Sequence, residues 1–385
     1  MKKILVIHNK YRNLGGEDIA VENEILLLKE KYEVEILYFD NNIDGLFNSI
    51  AQLFYFLINK NLKSRKILEK VLDDFSPDLV YVHNTWFKAS LVIFDVLKKR
   101  EINTFIKIHN FRYSCTQSFL KKTHLKNQQS CPACGLMNSK FPINNYFQES
   151  IGKSILAVWY GKGYLKRLLD KNFNLIVLTD FHKKYIEKNF IYESEIIVLN
   201  NYLNVNVSNQ RLVDSNYIIY AGRISKEKGV ENLINSFLHS NLGEITLKII
   251  GLGPDYNLLA DKYSIYENIE FLGQIDNKSV LNLIQNSKAV VTATKLLEGQ
   301  PTILCEASKL GIPSIFPDTG GVSEFFPEST KLSFKQFDYD DLKIKLNLLK
   351  DNDLLKKEGL ENEKFISILL DKKTVLKKFE SLFSE

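Results

Sequence analysis

Two short segments hold the residue types needed for anion and polyol chemistry. The first, Ala221-Gly222-Arg223-Ile224-Ser225-Lys226-Glu227-Lys228-Gly229, sets an Arg and a Lys on a glycine-bounded turn. A guanidinium offers phosphate oxygens a planar fork and an ammonium offers a compact point charge, so Arg223 and Lys228 suit a diphosphate. The second runs from Glu298 through Gly299, Gln300, Pro301 and Thr302 into a helix start, and reaches another carboxylate at Glu306. The N–H groups of a helix start beside Gly299 suit a phosphate or sugar oxygen. Glu298 and Glu306 would then reach sugar hydroxyls and a ribose diol. A third turn, Gly251-Leu252-Gly253-Pro254, can let a ligand approach the backbone at Gly253. The combination reads as a nucleotide-sugar site.

These residues need strand ends to hold them. Short apolar runs alternate with amphipathic stretches from end to end, the pattern of parallel sheets covered by helices, hence an α/β fold. Strands are predicted at Lys3–Ile7, Val34–Phe39, Leu79–His83, Thr104–Ile108, Leu175–Thr179 and Ile196–Leu199, and again at Tyr217–Tyr220, Ile245–Ile250, Ile269–Leu272, Ala289–Thr292 and Ser314–Phe316. In open α/β sheets ligands bind beyond the carboxyl ends of the strands, which is where Arg223 and Glu298 fall. The second segment predicts a helix over Pro301–Leu310. Pro301 takes its first position, Gly311 and Pro313 stop it, and Ile303, Leu304, Ala307 and Leu310 lie opposite Thr302, Glu306 and Lys309.

In the first half, Gly15-Gly16-Glu17-Asp18 reads as a helix entrance whose N–H groups face an anion. His8-Asn9, His83-Asn84 and His109-Asn110 each end a predicted strand. Glu17, His83, Asn84 and Asn110 are candidates for the acceptor side, and His109 is favoured for a direct role.

The chain's 385 residues suggest two domains. The Asn-rich run 201–215 is the expected linker between 1–200 and 216–370, and a last helix over 371–385 is expected to cross back to the first domain. A net charge of +5 is too weak to imply nucleic acid but is compatible with an anionic ligand or a lipid surface. Ile4–Ile7 is too short for a signal h-region, and no run approaches the ~18 apolar residues of a spanning helix. The expectation is a cytoplasmic protein. The aromatic stretch Leu46–Ile58, followed by Lys60, Lys63, Arg65 and Lys66, could seat it peripherally on the inner face of the cytoplasmic membrane.

Cys115, Cys131 and Cys134 lie in an irregular loop, 111–145, and the last two form a C-x2-C corner. With His124 they are candidates for a structural zinc site, against the alternative of unligated thiols. Cys305 reads as a small core residue.

Taken together, Gly15-Gly16-Glu17, His109, Gly222-Arg223 with Lys228-Gly229, and the E-x7-E of Glu298 and Glu306 resemble the retaining GT-B glycosyltransferases of glycosyltransferase family four (glycosyl transferases group 1). The resemblance spans nearly the whole chain. It implies two Rossmann-like domains facing a deep interdomain cleft, with the nucleotide-diphosphate sugar held mainly by the second and a glycan or lipid-linked glycan acceptor by the first. It implies that Arg223 and Lys228 bind the diphosphate, Glu298 the donor sugar and Glu306 the ribose. His109 would contact the sugar, with the Gly15-Gly16 loop near the phosphates. The reaction it implies is transfer with retention, without an essential metal, in surface polysaccharide biosynthesis. Gln300 stands where family members often carry an aromatic residue. A nucleotide-sugar epimerase of the same fold and a zinc-knuckle nucleic-acid binder on Cys131 and Cys134 are the alternatives.

Overall fold

The computed structural model describes residues 1–10, 15–41, 55, 58–125, 131–136, 142–143, 150–205 and 216–384. Most of the aromatic stretch 46–58, most of the linker 201–215 and parts of the loop 111–145 lie outside these. The chain divides into two compact units, Met1–Tyr202 with Lys372–Glu385, and Leu203–Asp371. Tyr202 and Leu203 therefore part within the Asn-rich run, and Leu203 is already buried in the second core.

The first unit holds strands β1 (Lys3–Lys10), β2 (Glu33–Asp40), β3 (Leu79–Val82), β4 (Thr104–Ile108), β5 (Asn174–Val177) and β6 (Ile196–Val198) in the order β2-β1-β3-β4-β5-β6. Every pairing is parallel. Because side chains alternate along a strand, the sheet is apolar on both faces. Leu5, Ile7, Val80, Val82, Ile106 and Leu175 enter one core, and Ile4, Val6, Leu79, Tyr81, Phe105 and Ile176 the other. The second face is covered in part by the helix Lys372–Ser384, through Val375, Leu376, Phe379 and Phe383.

The second unit holds β7 (Tyr217–Ala221), β8 (Thr246–Ile250), β9 (Ile269–Gly273), β10 (Ala289–Val291), β11 (Ser314–Asp318) and β12 (Ser333–Lys335), ordered β12-β11-β10-β7-β8-β9. Counted within the unit this is the 3-2-1-4-5-6 order of the doubly wound nucleotide-binding fold. Its strands are apolar on both faces too, with Ile218, Tyr220, Leu247 and Val291 on one side and Ile219, Ile250, Val290 and Phe316 on the other. The short strand β12, Ser-Phe-Lys, is absent from the sequence prediction, since a single apolar residue carries no periodic signal.

Candidate functional site

The strand order reverses between β7 and β10, which are hydrogen-bonded neighbours whose chains leave in opposite directions. Such a switch point opens a crevice beyond the strand ends. The β7 exit carries Arg223 and Lys228, and the β10 exit carries Thr294 to Glu298. The two exits are tied together: Lys295 N–H donates to the Glu227 carbonyl at 2.9 Å. Gly229 is left-handed (φ 68°), and a Cβ there would sit 2.0 Å from the Ala293 carbonyl oxygen. Only glycine lets the two loops approach this closely.

Arg223 is exposed and makes no ion pair among the described residues. Lys228 Nζ donates to Glu298 Oε1 at 2.6 Å, and Thr294 Oγ1 donates to the same oxygen at 2.9 Å. The Lys228 and Glu298 side chains keep 30% and 24% of their exposure, so the pair stays accessible to a ligand. The Glu298 backbone is braced from the β11 exit, where Gly321 N–H donates to its carbonyl at 2.9 Å and Thr319 Oγ1 donates to the Leu296 carbonyl at 3.1 Å. Gln336 Nε2 reaches the Thr294 and Leu296 carbonyls at 3.3 and 3.2 Å. Sequence reasoning missed Thr294, Thr319 and Gln336. The Thr319-Gly320-Gly321 turn after an apolar run was the available signal.

The helix after Glu298 spans Thr302–Lys309, with Pro301 outside it in extended conformation (φ −80°, ψ 90°) and no side-chain cap. Pro301 is therefore the flanking residue, not the first helical one. The helix start still offers its N–H groups next to Gly299 and Thr302.

Glu306 is 5% exposed and does not belong to a solvated face. Helix Asn352–Leu369 packs nearby, with Gly359 against the Gly311 carbonyl and Ile366 in the core of Leu304, Cys305 and Ala307. The Glu306 carboxylate has no hydrogen-bond or ion-pair partner among the described residues, and burial pushes its pKa up to about 7. A buried acceptor without a donor is a costly group unless a ligand supplies one.

Two further donor-side candidates have packing partners of their own. Gly253 owes its lack of a side chain to packing, since a Cβ would lie 2.1 Å from the Ile224 carbonyl oxygen. Gln300 is buried, and its side chain bonds the Cys305 thiol of the helix's own first turn.

In the first unit the switch point lies between β1 and β3. Asn84 Nδ2 donates to the Asn9 carbonyl at 2.8 Å, and its Oδ1 accepts from Trp86 N–H at 3.0 Å. Both amide ends are thus engaged with backbone, and Asn84 ties the strand ends together. Asp18 bonds His8 Nε2 at 2.8 Å and takes the Gly15 N–H at 2.9 Å. A carboxylate therefore occupies part of the Gly15-Gly16 helix entrance that the sequence offered to an anion. Glu17 is half-buried and accepts from Asn110 Nδ2 at 3.5 Å.

His83 Nδ1 and His109 Nε2 are 2.9 Å apart. Burial holds both pKa values well below the usual imidazole range, with the mutual repulsion of the rings adding to it at His83. The pair is neutral at physiological pH, one ring donating to the other. Their outer nitrogens, His83 Nε2 and His109 Nδ1, are buried without partners among the described residues.

Cys115, Cys131 and Cys134 come together, their Sγ atoms within 4.8 Å of one another. No helix among the described residues is long and apolar enough to cross a membrane. Lys60, Lys63, Arg65 and Lys66 are exposed, and Arg65 pairs with Glu69 at 2.9 Å.

Residues 206–364 match the family profile described as Glycosyl transferases group 1. Among curated proteins the chain is similar to protein CapJ of Staphylococcus aureus, 26% identical over 251 residues that make up 58% of this chain and 61% of CapJ. It is also similar to the O-antigen biosynthesis glycosyltransferase WbnH of Escherichia coli, 29% identical over 178 residues, 44% of this chain and 48% of WbnH. The matched stretch thus spans less than two-thirds of either relative. Among solved structures, Anabaena HepE in complex with UDP and glucose superposes with a TM-score of 0.68 at 14% identity, over 100% of both chains. At that identity the likeness establishes fold: two parallel-sheet, Rossmann-like units of the GT-B type.

Proposed function

We propose that the chain is a glycosyltransferase that moves a sugar from a nucleotide-diphosphate sugar to a glycan or lipid-linked glycan acceptor, with retention, in surface polysaccharide biosynthesis. The observation that carries this reading is the uncommitted charge at the second unit's switch point. Among the described residues Arg223 has no ion-pair partner, Lys228 pairs with Glu298 alone, and the buried Glu306 carboxylate has no donor.

Each has a role that its chemistry suits. Arg223 and Lys228 stabilise the negative charge that grows on the departing nucleoside diphosphate, aided by the helix start at Thr302. Glu298, released from Lys228, accepts from the sugar hydroxyls. Glu306 accepts two hydroxyls of the ribose, and those bonds favour its ionised form. With Glu298 and Glu306 engaged by the sugar and ribose hydroxyls, a donor phosphate oxygen takes the acceptor's proton. The first unit serves the acceptor, with His109 neutral and able to bond a hydroxyl.

The relatives reported above support glycosyl transfer, and the epimerase alternative finds no support among them. UDP, which HepE binds, is the first nucleotide to try. A thermal-shift screen of UDP, GDP, ADP and their sugars should single out one base, since a ligand of the folded state raises its stability by mass action. Transfer from that sugar nucleotide should then fall roughly 10²–10³-fold in Arg223→Ala, the loss that follows removal of one preorganised electrostatic donor. Near-normal turnover in that variant would refute the assignment. Vesicles containing anionic lipid test the membrane contact: sedimentation that survives charge removal at Lys60, Lys63, Arg65 and Lys66 would discard it.

A further inference from the structure

We infer that Cys115, Cys131, Cys134 and His124 form a structural Cys3His zinc site that closes the loop following β4. The inference stands apart from the glycosyltransferase reading. Tetrahedral zinc with Zn–S bonds of about 2.3 Å places its sulfurs ~3.8 Å apart. The three Sγ atoms already lie within 4.8 Å of one another, and His124 Nε2 lies 3.5 Å from Cys134 Sγ. Shifts of roughly 1 Å bring the three sulfurs to that spacing, with the His124 imidazole beside Cys134 as the fourth ligand.

The histidine's orientation adds an independent argument. His124 Nδ1 lies 2.9 Å from the Cys115 carbonyl oxygen. A carbonyl only accepts, so Nδ1 carries the hydrogen and Nε2 presents its lone pair to the sulfurs. This is the arrangement by which a backbone carbonyl fixes the tautomer of a metal-bound imidazole. The corner itself is pre-folded. Gly135 N–H donates to the Cys131 carbonyl at 2.7 Å, Cys131 N–H donates to the Leu136 carbonyl at 3.0 Å, and Gly135 is left-handed (φ 71°).

The local packing explains why a metal would be needed. The described part of this loop has a core of only Cys115, Leu125 and Cys131, packed against Ala133, Cys134 and Leu136. That is a small apolar cluster, and a bound metal would add its binding free energy to it. A disulfide would consume two sulfurs and leave the third and the imidazole lone pair unused. A borderline-soft ion takes all four groups, losing its water while the thiols release their protons to solvent. Cys115, His124 and Cys131 also line a cavity of about 800 Å³ that includes Lys162, Lys184 and Lys188, so the metal would fix one wall of it.

The test begins with the unmodified full chain, purified without chelators under reducing conditions. Elemental analysis should find about one zinc per chain. Exchange for cobalt should produce the thiolate charge-transfer absorption and the intense visible bands of a tetrahedral site. Cys134→Ser should lose the metal, whereas Cys305→Ala should keep it. A metal-free chain whose three thiols react freely, a disulfide among them, iron in place of zinc, or equal zinc in wild type and Cys134→Ser would each overturn the inference. Should Cys134→Ser fail to fold, the cobalt spectrum of the wild type decides alone.

Discussion

The two units place charged and polar residues at their strand ends, but they treat them differently. In the first unit such groups are buried and matched. Lys107 and Glu24 form an ion pair with no exposure, joined by the Tyr81 hydroxyl at 3.0 Å from Glu24, and Asp18 serves both His8 and Gly15. In the second unit they are accessible or unmatched, as Arg223, Lys228, Glu298 and Glu306 are. A buried charge satisfied within the protein has nothing left for a ligand. A charge left unsatisfied lowers stability until a ligand arrives, which marks a binding site. The His83–His109 pair lies between these cases, bonded on one side and open on the other.

Four experiments can break or sharpen this contrast. The largest effect should come from Lys107→Ala, which leaves the Glu24 carboxylate buried without its counter-charge. Loss of about 3–5 kcal/mol in denaturant unfolding is expected. A loss below ~1 kcal/mol would mean the first unit's pair is not structural.

Arg223→Ala should do the reverse. Stability should stay within about 0.5 kcal/mol, as for an exposed side chain without partners. Transfer should fall by the equivalent of about 2.7–4 kcal/mol, read from kcat and kcat/KM.

Glu306→Gln should trade function for stability. The folded carboxyl has its pKa raised to about 7 from 4.5. Between those values the folded protein keeps a proton that the unfolded chain releases, so wild-type stability falls as pH rises through this window and levels off above it. Removing the charge should therefore stabilise the ligand-free protein by up to about 3 kcal/mol at pH 8 and by little below pH 4.5. Nucleotide affinity should drop in the same variant. A variant less stable than wild type at pH 8 would show that Glu306 has an internal partner after all.

The smallest effect concerns Lys228 and Glu298. A double-mutant cycle with Lys228→Met and Glu298→Gln should give a coupling of roughly 0.5–1 kcal/mol without ligand, as for a partly exposed pair. That coupling should vanish when the sugar nucleotide is bound. A coupling that persists would place the pair with the first unit's structural bridges.

Much of the fold was legible because its signals are local. Strands β1 to β11 announce themselves as short apolar runs, and β12 escapes because three residues hold one apolar side chain. Gly229 and Gly311 mark left-handed turns wherever they occur in the chain. The donor-side residues were legible as types at strand ends. Their electrostatic states were not. Helical spacing sets Glu306 apart from the apolar face of its helix, and its burial is visible only in the folded unit. The bonds of both Asn84 amide ends to backbone are likewise visible only in the folded unit.

What the sequence alone determined is therefore the alternation of strands and helices, the places where the chain must turn, and which residues with phosphate and hydroxyl chemistry stand at those turns. These follow from side-chain period and backbone sterics, which act over a few residues. The tertiary structure decided the order of strands, and with it the switch point where β7 and β10 diverge. It also decided which charges meet a partner among the described residues: Lys228 with Glu298, Lys107 with Glu24, and Glu306 with none. Desolvation and pairing depend on what packs against a group from distant parts of the chain, and no local pattern carries that information.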